Sequence, residues 1–388
     1  MKRKERGRHV PEGTIRPTTS TRSVRAVAIL PVLVGACAQE PPPGGFVEGP
    51  ELVVTERGLP EELARETFFR VVGLATIEPE AGNPVVAIAD AGNYRILFWW
   101  PSERRVASFG RDGSGPGEFG SIQAVWPLND MVMVSDLSNR RLMFVSPEEG
   151  DLGTAPRDWT NLAAGGAFLP GGVFTLPADE TAADPFEFRR LEWRGGRLQL
   201  EAGQRPAGFP RVDSVLRPVH PLYDEAGLLF PPEVPGSTDV VVMLGSTLVW
   251  VEQRTGAVAF VRLDEGRNPE MPGVTVIRVP ERVIAEHVHH WVESRGEARM
   301  REQRFQVFWK TRPDATGRRA LFPIPLSTGD PLGWLLELQA DGVVEGRVVR
   351  LVDGDALPYR VRAALPLEEN QYLVGHEGGL TLLEEVRP

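Results

Sequence analysis

Two clusters in this chain carry residue types suited to acid–base or ion chemistry, at identical spacing. Asp90, Asn93 and Arg95 stand as D-x-x-N-x-R, and Asp136, Asn139 and Arg141 repeat the pattern. A carboxylate beside a guanidinium could move a proton. Several carboxylates meeting in one place could bind Ca²⁺, which takes about 6–8 oxygen ligands. His287, His289 and His290 form H-x-H-H. On a helix His287 and His290 lie one turn apart and could share a metal ion such as Zn²⁺, but no H-E-x-x-H accompanies them. His220 and His376 are isolated and could join such a site only from elsewhere in the fold. Lys310, after Phe308 and Trp309, would be a Schiff-base nucleophile only if buried. The chain has no G-x-S-x-G elbow, and the Gly-rich stretch 110–120 is not followed by the G-K-[ST] of a phosphate cradle.

Repetition argues that the two D-x-x-N-x-R clusters are architectural. A feature copied from unit to unit serves the unit, and the carboxylate and guanidinium can pair across a turn. Convergence on Ca²⁺ in a channel is the alternative. For His287 and His290 the plain reading is an amphipathic helix with surface histidines. Val283, Ile284, His287, Val288, Trp291 and Val292 share one helical face within 280–304, a stretch rich in Glu, Arg and Ala. Gly296 ends or kinks that helix.

The elements around the clusters are strands. Residues 86–98 (VAIADAGNYRILF) superpose without a gap on 132–144 (VMVSDLSNRRLMF) at an offset of 46. Apolar, Val/Ile/Leu/Phe-rich flanks around an Asx-rich centre read as a β-hairpin, because Asp and Asn bond nearby backbone and tolerate left-handed conformations. Similar strand–turn–strand patterns recur at 247–264, with Glu252 in the Asp position and no matching Arg, at 333–349 and at 372–384. The 41 Gly and 35 Pro spread along the chain suit many short strands. A period of about 40–50 residues with four strands per unit is the pattern of propeller blades.

The string V-x-D-x-x-N-x-R-[IL] with its FGRDGSGPGEF connector (109–119) resembles the NHL-repeat six-bladed β-propellers over residues 84–147. The resemblance implies an all-β, six-bladed (NHL/TolB-like) propeller over 51–388, with a helical insertion near 280–304. Its ring would close through Glu51–Thr55 or Arg70–Thr76 pairing with the blade that ends the chain, which removes a free sheet edge. Trp99 and Trp100 are expected to pack between sheets.

Residues 1–36 carry eight Lys and Arg, followed by the 11-residue apolar run 26–36. That run is too short to span a bilayer and has the form of a secretory signal. Leu33-Val34-Gly35-Ala36-Cys37 resembles a bacterial lipobox, and Cys37 is the only Cys of the chain. The resemblance implies lipidation at Cys37, a signal peptide over 1–36 and a location in the cell envelope, on the periplasmic side or the cell surface. The Pro- and Gly-rich 37–50 is expected to be a tether. Without residues 1–36 the chain keeps 35 Lys and Arg against 51 Asp and Glu, a net charge of −16. That balance argues against nucleic acid, which needs basic residues to neutralise phosphates. One Cys excludes an intramolecular disulfide. The expected function is a lipid-anchored, monomeric binding platform for a protein, peptide or glycan, without a required cofactor. A Ca²⁺- or Zn²⁺-dependent propeller hydrolase or lyase, and a structural subunit of an envelope complex, are the alternatives.

Overall fold

The computed structural model describes residues 45–78, 83–156, 167–169, 173–177, 186–194, 197–204, 240–252, 256–263, 274–293, 308, 311–324, 331–352, 357, 360–367 and 370–386. The chain clusters into two units, 1–40 and 41–388, and the described residues all lie in the second.

This unit is a β-propeller. It opens with β1 (Phe46–Glu48) and β2 (Leu52–Arg57), then the short α1 (Glu61–Ala64). Blade 1 is β3 (Val71–Ile77), β4 (Val85–Asp90), β5 (Arg95–Trp100) and β6 (Arg105–Phe109). Blade 2 is β7 (Ile122–Leu128), β8 (Met131–Asp136), β9 (Arg141–Ser146) and β10 (Gly150–Pro156). Blade 3 is β11 (Ala167–Leu169), β12 (Val173–Pro177), β13 (Phe186–Arg194) and β14 (Arg197–Ala202). Blade 4 is β15 (Val240–Leu244), β16 (Thr247–Glu252), β17 (Ala257–Arg262) and β18 (Val274–Arg278), followed by α2 (Glu281–Glu293). Blade 5 holds β19 (Arg319–Pro323), β20 (Gly333–Leu338) and β21 (Val344–Leu351). Its inner segment is 311–313, where Thr311 bridges Ala364 in parallel and Pro313 bridges Ala320 antiparallel. Blade 6 is β22 (Val361–Pro366), β23 (Gln371–His376) and β24 (Gly379–Glu385), completed by β2. Contacts run β3–β7–β11–β15–β19–β22 and back to β3, so the six blades form a closed ring.

Each of the six apolar clusters is one seam between neighbouring blades. Ile96, Phe98 and Trp100 of blade 1 meet Val125, Val134 and Met143 of blade 2. Leu74, Leu97 and Trp99 on the other face of blade 1 meet Leu365 and Leu373 of blade 6. A strand buried on both faces has no use for alternating polarity. Hence β4 reads VVAIAD and is buried at every position. α2 turns Val283, Ile284 and Val288 into the seam between blades 4 and 5. The expected helix over 280–304 is therefore present as 281–293; residues from 294 to 307 lie outside the described ones.

The closing strand is β2, whereas Val71–Ile77 is the inner strand of blade 1. Leu52–Val54 pair in parallel with Val349–Leu351, and Val54–Arg57 then pair antiparallel with Leu382–Glu385. The expected tether is corrected at its C-terminal end. Phe46–Glu48 already pair with Val344–Gly346, and the Phe46 ring stacks on Phe260 at 5.7 Å and meets Trp334 edge-on at 5.8 Å. Residues 46–57 thus form a belt from blade 4 to blade 6.

Removing residues before Gly58 should expose the edges of β21 and β24 and turn a monodisperse protein into an aggregating one, read by size-exclusion chromatography. Phe46→Ala should keep the ring but lower unfolding stability by about 2–3 kcal/mol, as for a partly buried aromatic truncated in a core, read by urea titration.

Candidate functional site

The D-x-x-N-x-R clusters lie at the second turn of blades 1 and 2. Asp136 is fully buried. Its Oδ1 accepts the N–H groups of Gly120 (3.1 Å) and Ser121 (3.0 Å), just before inner strand β7. Its Oδ2 accepts Asn139 Nδ2 (2.7 Å) and Arg141 Nε (3.3 Å). Arg141 in turn donates to the carbonyls of Ser114, Gly115 and Glu118, and so pins the Gly-rich connector onto the hairpin. Gly110 opens that connector at φ +105°, where an added Cβ would stand 2.4 Å from the Phe119 ring. Blade 1 repeats the node. Asp90 accepts Phe69 N–H (3.0 Å), Asn93 Nδ2 (2.7 Å) and Arg95 Nε (3.1 Å), while Arg95 reaches Glu66 and the Thr67 carbonyl. Both carboxylates are committed to donors of their own turn and connector.

The same register position in other blades carries other buried polar groups. Val71 faces Asp90, Ile122 faces Asp136 and Val361 faces His376, each beside a bulge of the inner strand. Glu252 ends β16 in blade 4, where Ala257 replaces the Arg. His376 Nδ1 accepts Gly378 N–H (3.1 Å), so Nε2 carries the proton toward Thr381 Oγ1 (3.0 Å). Burial holds this imidazole below the ordinary histidine range.

The remaining histidine expectations divide. His287 is buried at 4% exposure on the inner face of α2, which corrects the reading of it as a surface residue; His289 is exposed. The side chain of His290, and Cys37, His220 and Lys310, lie outside the described residues. Among the described residues, no group of three or more His, Cys, Asp or Glu is placed to hold a metal ion.

Two features absent from the sequence reading shape the ring's interior. Arg312, on the inner segment of blade 5, is 5% exposed. It reaches the opposite blade, donating from Nε to the Val125 carbonyl (3.0 Å), with its guanidinium 5.4 Å from the Trp126 ring. Nη1 donates to the Thr311 carbonyl at 2.6 Å. Burial pulls its pKa down to about 9, so it stays charged at neutral pH. The side chain crosses the channel and ties blade 5 to blade 2.

The second feature is a groove of about 940 Å³ at the mouth formed by the first and third turns of the blades. Its floor is blade 6, with Pro366, Leu367 and Gln371. Pro84, Trp99 and Pro101 of blade 1 form one wall, and Thr316, Arg318 and Gln339 of blade 5 the other. A third Asp-x-x-x-x-Arg pair builds the blade 5 wall. Asp314 accepts the N–H groups of Arg318 (2.9 Å) and Arg319 (3.1 Å) and pairs with Arg319 Nε at 3.0 Å. Arg319 also donates to the Leu367 carbonyl and so fixes wall to floor. The Asp-to-Arg spacing was visible in the sequence, but without the Asn it gave no signal.

No protein-family model and no curated protein sequence matches the chain. Among solved structures it is similar to a catalytically inactive virginiamycin B lyase from Staphylococcus aureus with quinupristin. The identity there is 10%, over 87% of this chain and 100% of that one, with a TM-score of 0.45. It is similar to a gluconolactonase from Xanthomonas campestris at 10% identity, over 82% and 87% of the two chains, with a TM-score of 0.40. A duf4221 family member from Bacteroides vulgatus gives 10% identity, 88% and 97% coverage and a TM-score of 0.44.

Asp136→Ala takes the counter-charge from the half-buried Arg141 guanidinium and leaves two backbone N–H groups without their acceptor. Its expected cost is about 3–5 kcal/mol by denaturant titration, and the double variant with Arg141→Ala should cost less than the two single losses added. His376 makes a second prediction. The unfolded chain binds its proton more readily, so stability from this group is full above the unfolded pKa of roughly 6.5 and is lost as pH falls through the lower folded value. His376→Asn should flatten the decline in unfolding free energy between pH 7 and pH 5 relative to the parent.

Proposed function

We propose that this chain is a binding platform: a propeller that holds a protein, peptide or glycan in the groove across blade 6. The observation that carries this reading is the groove itself, about 940 Å³ with walls from blades 1 and 5, the blade 5 wall being fixed by the Asp314–Arg319 pair and by the bond from Arg319 to the Leu367 carbonyl. Ligand sites are commonly concave, of this size, partly apolar and largely preformed. Pro84, Trp99, Pro101 and Leu367 supply apolar surface, and Gln339, Gln371 and Thr316 supply hydrogen-bonding groups. With Arg312 lying across the channel, a ligand would meet the ring at a mouth.

The proposal extends to placement. Cys37 is the lipid-bearing residue, 1–36 the signal that is removed, and the mature chain is anchored at the envelope outside the cytoplasm. The duplicated hairpins are read as NHL-type repeats, and the protein as a monomer that binds no nucleic acid.

The test uses the full chain purified in detergent and probed against peptide and glycan arrays. Ala340 is exposed and lines the groove, so Ala340→Trp fills it; Leu137, at the opposite mouth, is 45% exposed, so Leu137→Asp is the control. Binding lost in the first variant and kept in the second is expected. Binding indifferent to Ala340→Trp would overturn the reading. Near-stoichiometric Ca²⁺ or Zn²⁺ retained after dialysis would replace it with a propeller hydrolase or lyase. Cys37→Ser should move the protein from the membrane to the soluble fraction.

A further inference from the structure

We infer that the groove selects a ligand through a carboxylate, received by Arg318, with an apolar group beside it; this deepens the binding reading above and rests on it. Arg318 is exposed on the blade 5 wall. Its position is fixed from two sides. Its backbone N–H donates to Asp314 Oδ1 at 2.9 Å, and its carbonyl accepts Leu338 N–H at 2.8 Å. Its Nε and Nη2 both donate to the Leu338 carbonyl, at 3.0 and 2.6 Å. A guanidinium has five N–H donors in a planar fork. With the Nε edge committed to Leu338, the Nη1–Nη2 edge is the one left for a ligand.

The other charges of the groove are neutralised. Asp314 pairs with Arg319 and Glu337 pairs with Arg347. Among the described residues no carboxylate pairs with Arg318. An arginine held in one orientation has already lost much of the side-chain entropy that binding would otherwise cost, and its flat edge matches the two oxygens of a carboxylate. A single positive charge in a chain of net charge −10 suits a monoanion rather than a phosphate dianion. Leu367 and Pro366 on the floor and Pro101 on the facing wall give an apolar surface for the group that carries the carboxylate. The matching chemistry is the end of a peptide with a free C-terminus or a small acylated amino acid.

The experiment titrates the full chain in detergent with dansyl-leucine and with dansyl-leucinamide by fluorescence. Arms with a dansylated tripeptide, free or amidated at its C-terminus, separate a peptide end from a small acid. The expected result is roughly tenfold or tighter binding of the free acid than of the amide, a preference lost in Arg318→Gln and binding lost in Ala340→Trp. Equal binding of acid and amide, or a preference that survives Arg318→Gln, would overturn the carboxylate while leaving the groove. Displacement of dansyl-leucine by phenyl phosphate at lower concentration than by acetyl-leucine would overturn it in favour of phosphate. No binding of any probe, or binding unchanged in Ala340→Trp, removes both the carboxylate and the groove as a binding site.

Discussion

The pairing of one strand, β2, with two others holds the rest in place. A ring of blades joined only through successive strands has two loose ends, and each loose end is a row of unpaired N–H and C=O groups. β2 takes up the edge of β21 with its first half and the edge of β24 with its second. Val54 sits at the crossover, paired to both Leu351 and Glu385 and fully buried. Blades 5 and 6 are thereby one eight-stranded sheet. β1 extends the same belt backward, and Phe46 fills the outer part of the seam between blades 4 and 5.

The groove depends on that closure. Its floor is blade 6, the blade whose outer strand comes from the other end of the sequence, and its walls come from blades 1 and 5 on either side. Opening the ring at β2 would free the floor from one wall. Arg312 adds a tie of a different kind, reaching across the channel from blade 5 to Val125 in blade 2. It is a buried cation held by carbonyl oxygens and an aromatic face. Desolvation weakens its hold on the proton but leaves it charged at pH 7. An arginine suits this role better than a lysine, because one planar group can bond two carbonyls and lie near an indole.

The hairpins were legible because their physics is local. Strands buried on both faces read as unbroken apolar runs, and the Asp-Asn-Arg turns between them are short-range chemistry, so 86–98 and 132–144 announced themselves. α2 was legible from its spacing of Val283, Ile284, His287 and Val288. The same spacing placed His287 on the apolar face, which outweighs the general tendency of histidine to be exposed. Phe46 was hidden by its neighbours: a Pro- and Gly-rich stretch has the composition of a tether, and only the tertiary partners Phe260 and Trp334 make its aromatic ring a core residue. The groove was not legible at all. It is assembled from Pro101, Arg318 and Leu367, residues of three different blades whose adjacency exists only once the ring closes.

The end of each blade's second strand shows how one mechanical demand admits several chemistries. In blades 1 and 2 the chain enters the inner strand with backbone N–H groups that need an acceptor beside a bulge, and Asp90 and Asp136 provide it. A fully buried carboxylate needs compensation, so Arg95 and Arg141 stand directly across the hairpin. Blade 6 places His376 at this register, with Gly379 where the Arg would be. A neutral imidazole needs no counter-charge; it bonds Gly378 and Thr381 of its own hairpin, and burial disfavours its charged form. In blade 6 the Arg is thus absent together with the buried charge it would neutralise, whereas blade 4 keeps a buried carboxylate, Glu252, with Ala257 across the hairpin. The D-x-x-N-x-R pattern fades along the chain because the demand is for a satisfied turn, and a charged pair is only one way to meet it.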